Sequence, residues 1–535
     1  MTILLRRSDD LANVGEFDSW LSITGTVVNL DSFLKLPGLA ERLESSFEGS
    51  RNQWWELGRK MADDPSARTA HAPTGGVYGS DFGLMLAWVS IARDLAQDSR
   101  IHLVVCDDPW VFRQIADISE VEAGQAPSLF KSSSRLFIRG YMARVAVAAR
   151  SIKAYLTLRR YRAVFSGGEP TLLVYGHPAS NGTDRDAYFG NLMAEIPQTR
   201  RLLHVDCPAV RAEELSSGGR TASLHAWGSL WDAISLFFEL WSPRSELTQG
   251  AFGWLIRRAA AHENGGGGPA MVRWQINCQR RWLKSVRPIR VVWPWENFAW
   301  ERAFCLEARS IGIATAGYQH TAIGPHQLNY STATNPDGDE SLPDTIIANG
   351  PVYAQEMIEW KVPEEKIVIG GSFRIRPEFR GRFDPSGPIF VPLSGQLAAA
   401  RQQLQAAKML AEAGRQVRVK EHPMYPLAFS ETDNFKRTQE GIGGAEAYSG
   451  VLFTTGTSGL EAVLAGLPAF RLLLDDELSI NILPSNLEVP SVTINQVVEI
   501  LAATSNPPVI DWGEIFSMPN LELWQKLLSS ELSNA

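Results

Sequence analysis

The stretch 415-RQVRVKEHP-423, followed at 450 by GVLFTTGTSGLEAVLAGLPAF-470, decides the fold. Val417 and Val419 alternate with charged residues and run into His422-Pro423, which predicts a short strand ending where an ammonium (Lys420), an imidazole (His422) and a proline-stiffened turn (Pro423) meet. Val451-Leu452-Phe453 is an apolar run that passes through Thr454, Thr455, Gly456, Thr457 and Ser458 into the helix-like GLEAVLAGLP, closed by Gly466 and Pro468. Strand, hydroxyl-rich turn and helix start set backbone N–H groups and hydroxyls where a phosphate or carboxylate would sit. Taken singly, a Ser/Thr cluster ahead of a helix is an ordinary N-cap and a lone histidine an ordinary surface residue. The combination says more, because Glu461 falls one turn into the helix, within reach of ribose hydroxyls.

The pattern outward from this stretch is strand, helix, strand. IFVPLSG (389–395) opens a new strand whose end loop, Ser394-Gly395-Gln396, is expected to face a ligand, and Leu397 to Gly414 reads as an amphipathic helix. Upstream, IHLVVCDDP (101–109) is a buried strand ending in Asp107 and Asp108, which serve either a cleft or the cap of the next helix. TLLVYGHPASNGTDRDAYFGNL (171–192) delivers a second Gly-His-Pro and then Asp184 and Asp186. RVVWPWENFAWERAF (290–304) ends a strand at Glu296 and sets Glu301 on the first turn of a helix, so two carboxylates are expected near a cleft; ATAGYQH (314–320) brings His320 to a strand end. This alternation predicts an α/β protein with doubly wound parallel sheets. We expect a first domain over 1–380 with a helical insertion at about 211–284, a second over 386–505, and a last helix in 506–535 that crosses back to the first.

Composition bounds the function. A chain of 535 residues exceeds one ordinary domain. The net charge of -8 argues against a general affinity for nucleic acid. Cys106, Cys207, Cys278 and Cys305 lie far apart without CxxC spacing, which fits reduced thiols and predicts no metal cluster. The start, MTILLRRSDDLANVGEFDSW, has acids where a signal peptide needs an apolar core, and no stretch reaches the roughly 18 apolar residues of a membrane span. A cytoplasmic protein is expected. From Lys131 to Arg162 there is no Asp or Glu, and cations are threaded through apolar residues. That is either a solvated helix face or a basic amphipathic helix that meets anionic lipid of an inner leaflet, with the protein peripheral there.

The C-terminal stretch resembles the nucleotide-sugar-binding domain of GT-B glycosyltransferases, on its His422-Pro423 motif, Ser/Thr pair and Glu461…Gly466…Pro468 elements. From about 290 to 500 the order of motifs is similar to bacterial surface-polymer transferases, among them CDP-glycerol, capsule and O-antigen enzymes. Tyr318-Gln319-His320 stands where these show Trp-His-Gly, and WENFAWE…GYQH is closer to proteins grouped as surface-carbohydrate biosynthesis factors. The resemblance implies two Rossmann-like domains facing a cleft. It implies donor binding by Lys420, His422, Pro423, Thr455, Thr457, Ser458 and Glu461, with no metal and no cofactor beyond the nucleotide-sugar. For the catalytic base, the ordinary pKa of imidazole and its place at a cleft-facing strand end put His320 first, then Glu296, then Asp186. The implied donor carries cytidine, a CMP-linked ulosonic acid (Kdo or sialic-type) first and a CDP-linked polyol second, and the acceptor is a surface glycan or its lipid-linked precursor. A GT-B-fold 2-epimerase and a non-catalytic assembly component are the alternatives.

Overall fold

The computed structural model describes the chain except residues 1, 13, 24–27, 29, 31, 73, 78, 378–379, 423–424, 503–505 and 530–535. Among the described residues the strands form three sheets, and every pairing between named strands is parallel. The seven-stranded sheet holds β5 (Thr171–Val174), β6 (Arg200–Leu203), β7 (Thr221–Ser223), β8 (Arg290–Pro294), β9 (Ala314–Tyr318), β10 (Thr345–Ala348) and β11 (Ile367–Ile369), in the order β11-β10-β9-β8-β5-β6-β7. The chain winds outward from β5 to β7, returns to lay β8 beside β5, and winds the other way. The six-stranded sheet repeats the plan: β12 (Ile389–Pro392), β13 (Val417–Lys420), β14 (Phe435–Arg437), β15 (Gly450–Phe453), β16 (Ala469–Leu472) and β17 (Ser491–Val492) lie in the order β14-β13-β12-β15-β16-β17. Each sheet is doubly wound and Rossmann-like, with its reversal between β5 and β8 in one and β12 and β15 in the other. The crevice outside the strand carboxyl ends at such a reversal is where ligands bind in open α/β sheets.

Two features depart from the sequence reading. The first 123 residues contribute a separate four-stranded sheet, β2-β3-β1-β4, from β1 (Ile3–Arg6), β2 (Ser19–Ser22), β3 (His102–Val105) and β4 (Val121–Ala123). Its core strand β3 was legible; β1 and β2 were not. The 211–284 segment is not purely helical, because β7 pairs with β6 inside it. The four cysteines are free and buried.

The close-packed joints explain the sequence. A Cβ on Gly317 would land 2.7 Å from the Cβ of Trp295, so only glycine lets β9 pass the end of β8. The last helix, Leu521–Leu528, lies against the large sheet: Trp524 is fully buried among Phe189, Tyr318 and Phe373, and its indole N–H donates to Gly370 O at 2.9 Å. β16 and the segment after it tie the six-stranded sheet to the rest. Arg471 Nη2 meets Glu44 Oε2 at 2.5 Å, Asn481 N donates to His326 Nδ1 at 2.9 Å, and Ser485 N to Glu356 Oε1 at 2.7 Å.

Candidate active site

At the β12/β15 reversal the two strand-end loops close on each other. Ser394 Oγ and Thr455 Oγ1 are 2.6 Å apart and buried, and Gln403 fixes the first loop by accepting from Ser394 N at 2.7 Å. Gly456 adopts φ +100°, a left-handed turn that glycine enters without strain. Thr457 Oγ1 donates to Glu461 Oε1 at 2.6 Å, which swings that carboxylate back over the turn. The loops, with the end of β13, line a cavity of about 670 Å³ that collects Lys420, His422, Thr455, Thr457, Ser458 and Glu461. Pro423 lies outside the described residues. The helix after the turn is only seven residues, Ser458–Leu464, and no side chain caps it.

His422 stacks on Tyr425, ring centroids 5.5 Å apart, and a Cβ on Gly395 would sit 3.2 Å from its Nε2. The imidazole is therefore packed between a ring and the Gly395 backbone, where a methyl group would press on it. Burial lowers its pKa, so it enters the cavity uncharged at neutral pH and Lys420 brings the positive charge.

The β5/β8 reversal carries the second group of residues. His177, Tyr188 and His320 form a row of rings, with His177 to Tyr188 at 6.0 Å and Tyr188 to His320 at 5.1 Å; Tyr175 continues it to His204 at 4.9 Å. His320 Nδ1 is buried with no hydrogen-bond partner. Burial, then the charge of Arg374, lowers the pKa of His320 to about 3, so this imidazole is a weak base. Glu296, by contrast, is half-buried, and burial raises its pKa to about 7. Of the two, the Glu296 carboxyl and not the His320 imidazole has its pKa near neutrality.

The remaining acids expected at the cleft belong to the framework. Glu301 is buried and its carboxylate accepts from Glu296 N at 3.0 Å and Asn297 N at 2.8 Å, holding Asn297 at φ +60°. Asp186 is 2% exposed, accepts from Tyr188 N at 2.9 Å and Phe189 N at 3.3 Å, and pairs with Arg201 at 3.6 Å. It shapes the loop that presents Tyr188 and has no face toward an acceptor. Asp108 caps the next helix through Trp110 N and Val111 N, both at 3.0 Å, and pairs with Arg258 at 2.7 Å.

Gly76 and the residues Gly79–Asp81 lie against the surroundings of the two groups. A Cβ on Gly76 would fall 2.4 Å from Asn329 Oδ1, and Asn329 Nδ2 donates to Glu296 O at 2.8 Å. Gly79, Ser80 and Asp81 share a cavity of about 280 Å³ with Gln396 and Glu477. Gln396 also lines the larger cavity, so the two cavities meet at that side chain. Tyr188, His204 and Tyr425 carried no motif in the sequence; only their ring contacts reveal them.

No protein-family model matches the chain, and no curated protein does. Solved structures align only remotely. The kitacinnamycin glycotransferase matches at 12% identity and TM-score 0.39, over 68% of this chain and 100% of its own. The calicheamicin glycosyltransferase CalG4 matches at 14% and 0.38, over 63% and 89%. A Methanocaldococcus jannaschii UDP-GlcNAc 2-epimerase matches at 12% and 0.34, over 64% and 96%.

Proposed function

We propose that the chain is a glycosyltransferase that moves a sugar from a nucleotide-sugar to a glycan acceptor. The observation that carries this reading is what stands at the two sheet reversals: a hydroxyl-rich cavity with one ammonium at one, a carboxylate tuned to about 7 at the other. Such a cavity suits a phosphate ester. Lys420 and the hydroxyls of Thr455, Thr457 and Ser458 stabilise the charge that develops on the departing phosphate, and Glu461 hydrogen-bonds ribose. Glu296 takes the proton of the acceptor hydroxyl. The donor we propose is a CMP-linked ulosonic acid. Its one phosphate and one carboxylate need two neighbouring anion positions, and the Lys420–His422 turn and the Thr455–Ser458 turn offer both. The acceptor is a bacterial surface polysaccharide or its lipid-linked precursor, met at the inner face of the membrane.

The test is a thermal-shift competition with CMP, CDP, UDP, GDP and dTDP, followed by transfer assays. A nucleotide at 100 times its dissociation constant adds about 2.7 kcal/mol of stability. Cytidine nucleotides are expected to protect most; a clear preference for UDP or GDP overturns the donor assignment. Conversion of a nucleotide-sugar with no acceptor present would replace transfer by isomerisation.

A further inference from the structure

The helix Leu129–Leu158 is 30 residues long, about 45 Å, and is buried along one side only. Gly140, Arg144, Val147, Ala148, Ser151, Ala154 and Leu158 make the inward line. Its roll is fixed: a Cβ on Gly140 would fall 1.7 Å from Asn264 O, and Arg144 Nη1 donates to the same oxygen at 3.1 Å. What points outward is therefore held there. Phe137 and Tyr141 stand seven residues ahead of the buried Arg144 and Ala148, and Phe130 seven ahead of Phe137, so toward the helix start the same stripe runs on uncovered, with Ile138 and Met142 on the adjoining flank; Phe130 is 83% exposed and Met142 62%. Lys131, Arg135 and Lys153 follow on the next flank of the same helix.

A second element extends this face. The helix Leu230–Ser235 and the turn Leu236–Phe238 pack against the long helix, yet Trp231 and Phe238 are each 80% exposed. Large aromatics this exposed on two neighbouring elements form a patch that calls for a covering surface. Acids on the adjoining segments do not neutralise the cations, since Asp232 is held by Arg281, Glu213 by Arg160 and Glu239 by Arg273. Just before Trp231 the chain lines an open cavity of about 590 Å³ walled by Arg162, Phe165, Trp227, Arg281 and Lys284. A protein of net charge -8 thus gathers cations of one sign beside its most exposed aromatics.

We propose that this face docks on a bilayer rich in anionic lipid. The long helix lies flat in the headgroup layer, Trp231 and Phe238 insert beside it, and the basic cavity receives a lipid phosphate. Apolar insertion supplies the hold and the cation flank the preference for negative lipid. Among the described residues no helix is long and apolar enough to cross a membrane, so the contact is lateral. The inference rests on the proposed reading only for its purpose, which is to bring the cleft to a lipid-linked acceptor; docking itself needs neither donor nor turnover.

The experiment is flotation of the full chain with vesicles of phosphatidylcholine alone or mixed equally with phosphatidylglycerol, at low and high salt. Wild type is expected to float with the mixed vesicles and not with the neutral ones. Trp231→Ser with Phe238→Ser is expected to cut the bound fraction about fivefold or more at both salts, as lost insertion requires. Lys131→Glu, Arg135→Glu and Lys153→Glu together are expected to abolish binding, most visibly at low salt. Heat protection by nucleotide is read in parallel and stays unchanged in the folded variants, so failure of the docking face and failure of the transferase reading are separable. Wild type that stays unbound at low salt, variants that float like wild type, or a dimer in light scattering that Trp231→Ser with Phe238→Ser splits without any vesicle binding would each overturn the proposal, the last by assigning the face to a second copy.

Discussion

Ser394 Oγ and Thr455 Oγ1 share a hydrogen bond of 2.6 Å across the point where the six-stranded sheet reverses. Because the residues sit on loops 61 positions apart, this contact fixes the distance between the Gly395 backbone and the Thr457–Ser458 hydroxyls. Ser394→Ala leaves the Thr455 hydroxyl buried without this partner, at a cost of about 1–3 kcal/mol. The expected result is a lower Tm and weaker nucleotide protection together.

Lys420→Ala removes the one ammonium of the cavity, and a charge-assisted hydrogen bond is worth about 1.5–3 kcal/mol. Nucleotide affinity should fall roughly tenfold or more, with Tm of the free protein unchanged. Gly395→Ala is predicted to do the same by another route, since its Cβ would meet the His422 ring at 3.2 Å. Isothermal titration with the preferred nucleotide checks both, and full affinity in both variants would remove the proposed donor site.

The pH dependence assigns the base. Glu296 acts only when deprotonated, so kcat/KM should rise with pH and level off above about 7, while His320, at about 3, stays neutral throughout that range. Glu296→Gln should lose most of the rate, about 100-fold or more for a general base. Stability runs oppositely. A carboxyl whose folded pKa is raised favours the fold fully only below its unfolded value, and that contribution is lost as pH rises through the folded one. The Tm of Glu296→Gln relative to wild type should therefore climb between about pH 4.5 and 7.5. A flat difference would mean that Glu296 is not desolvated.

Asp186→Asn should act on the fold. Removing one charge of the buried pair leaves Arg201 uncompensated, which costs about 3–5 kcal/mol. Denaturant melts should show the loss, while the remaining folded molecules keep the wild-type pH profile of turnover.

The doubly wound plan was legible because it is written locally. Val417, Val419 and the run Val451 to Phe453 announce strands, and hydroxyls and glycine announce the turns between them. The first sheet escaped because β2 reads Ser-Trp-Leu-Ser: all its side chains are buried, Ser19 through His102 Nδ1 at 2.9 Å, so no polar–apolar alternation marks it. The ranking of His320 over Glu296 was an inference from ordinary pKa values. What sets the two pKa values apart is burial and, for His320, the charge of Arg374, and both come from residues far away along the chain. Glu301 and Asp186 looked like cleft acids for the same reason, since sequence shows a carboxylate but not the amides it is already bound to.

Trp524 carries a consequence for biosynthesis. It fills the space among Phe189, Tyr318 and Phe373 in the large sheet, although the whole six-stranded sheet is encoded between that sheet and itself. During translation the earlier strands emerge first and wait with an apolar hollow on one side. They are completed only when the helix Leu521–Leu528 leaves the ribosome, so the nascent chain exposes that hollow for the time needed to make some 150 residues, about 8–30 s at about 5–20 residues per second. A buried indole exchanged for alanine typically costs about 3–5 kcal/mol. Trp524→Ala is accordingly predicted to be recovered mainly as aggregate or chaperone-bound protein, and supplying the helix Leu521–Leu528 in trans as a peptide should restore soluble yield to a chain truncated before it.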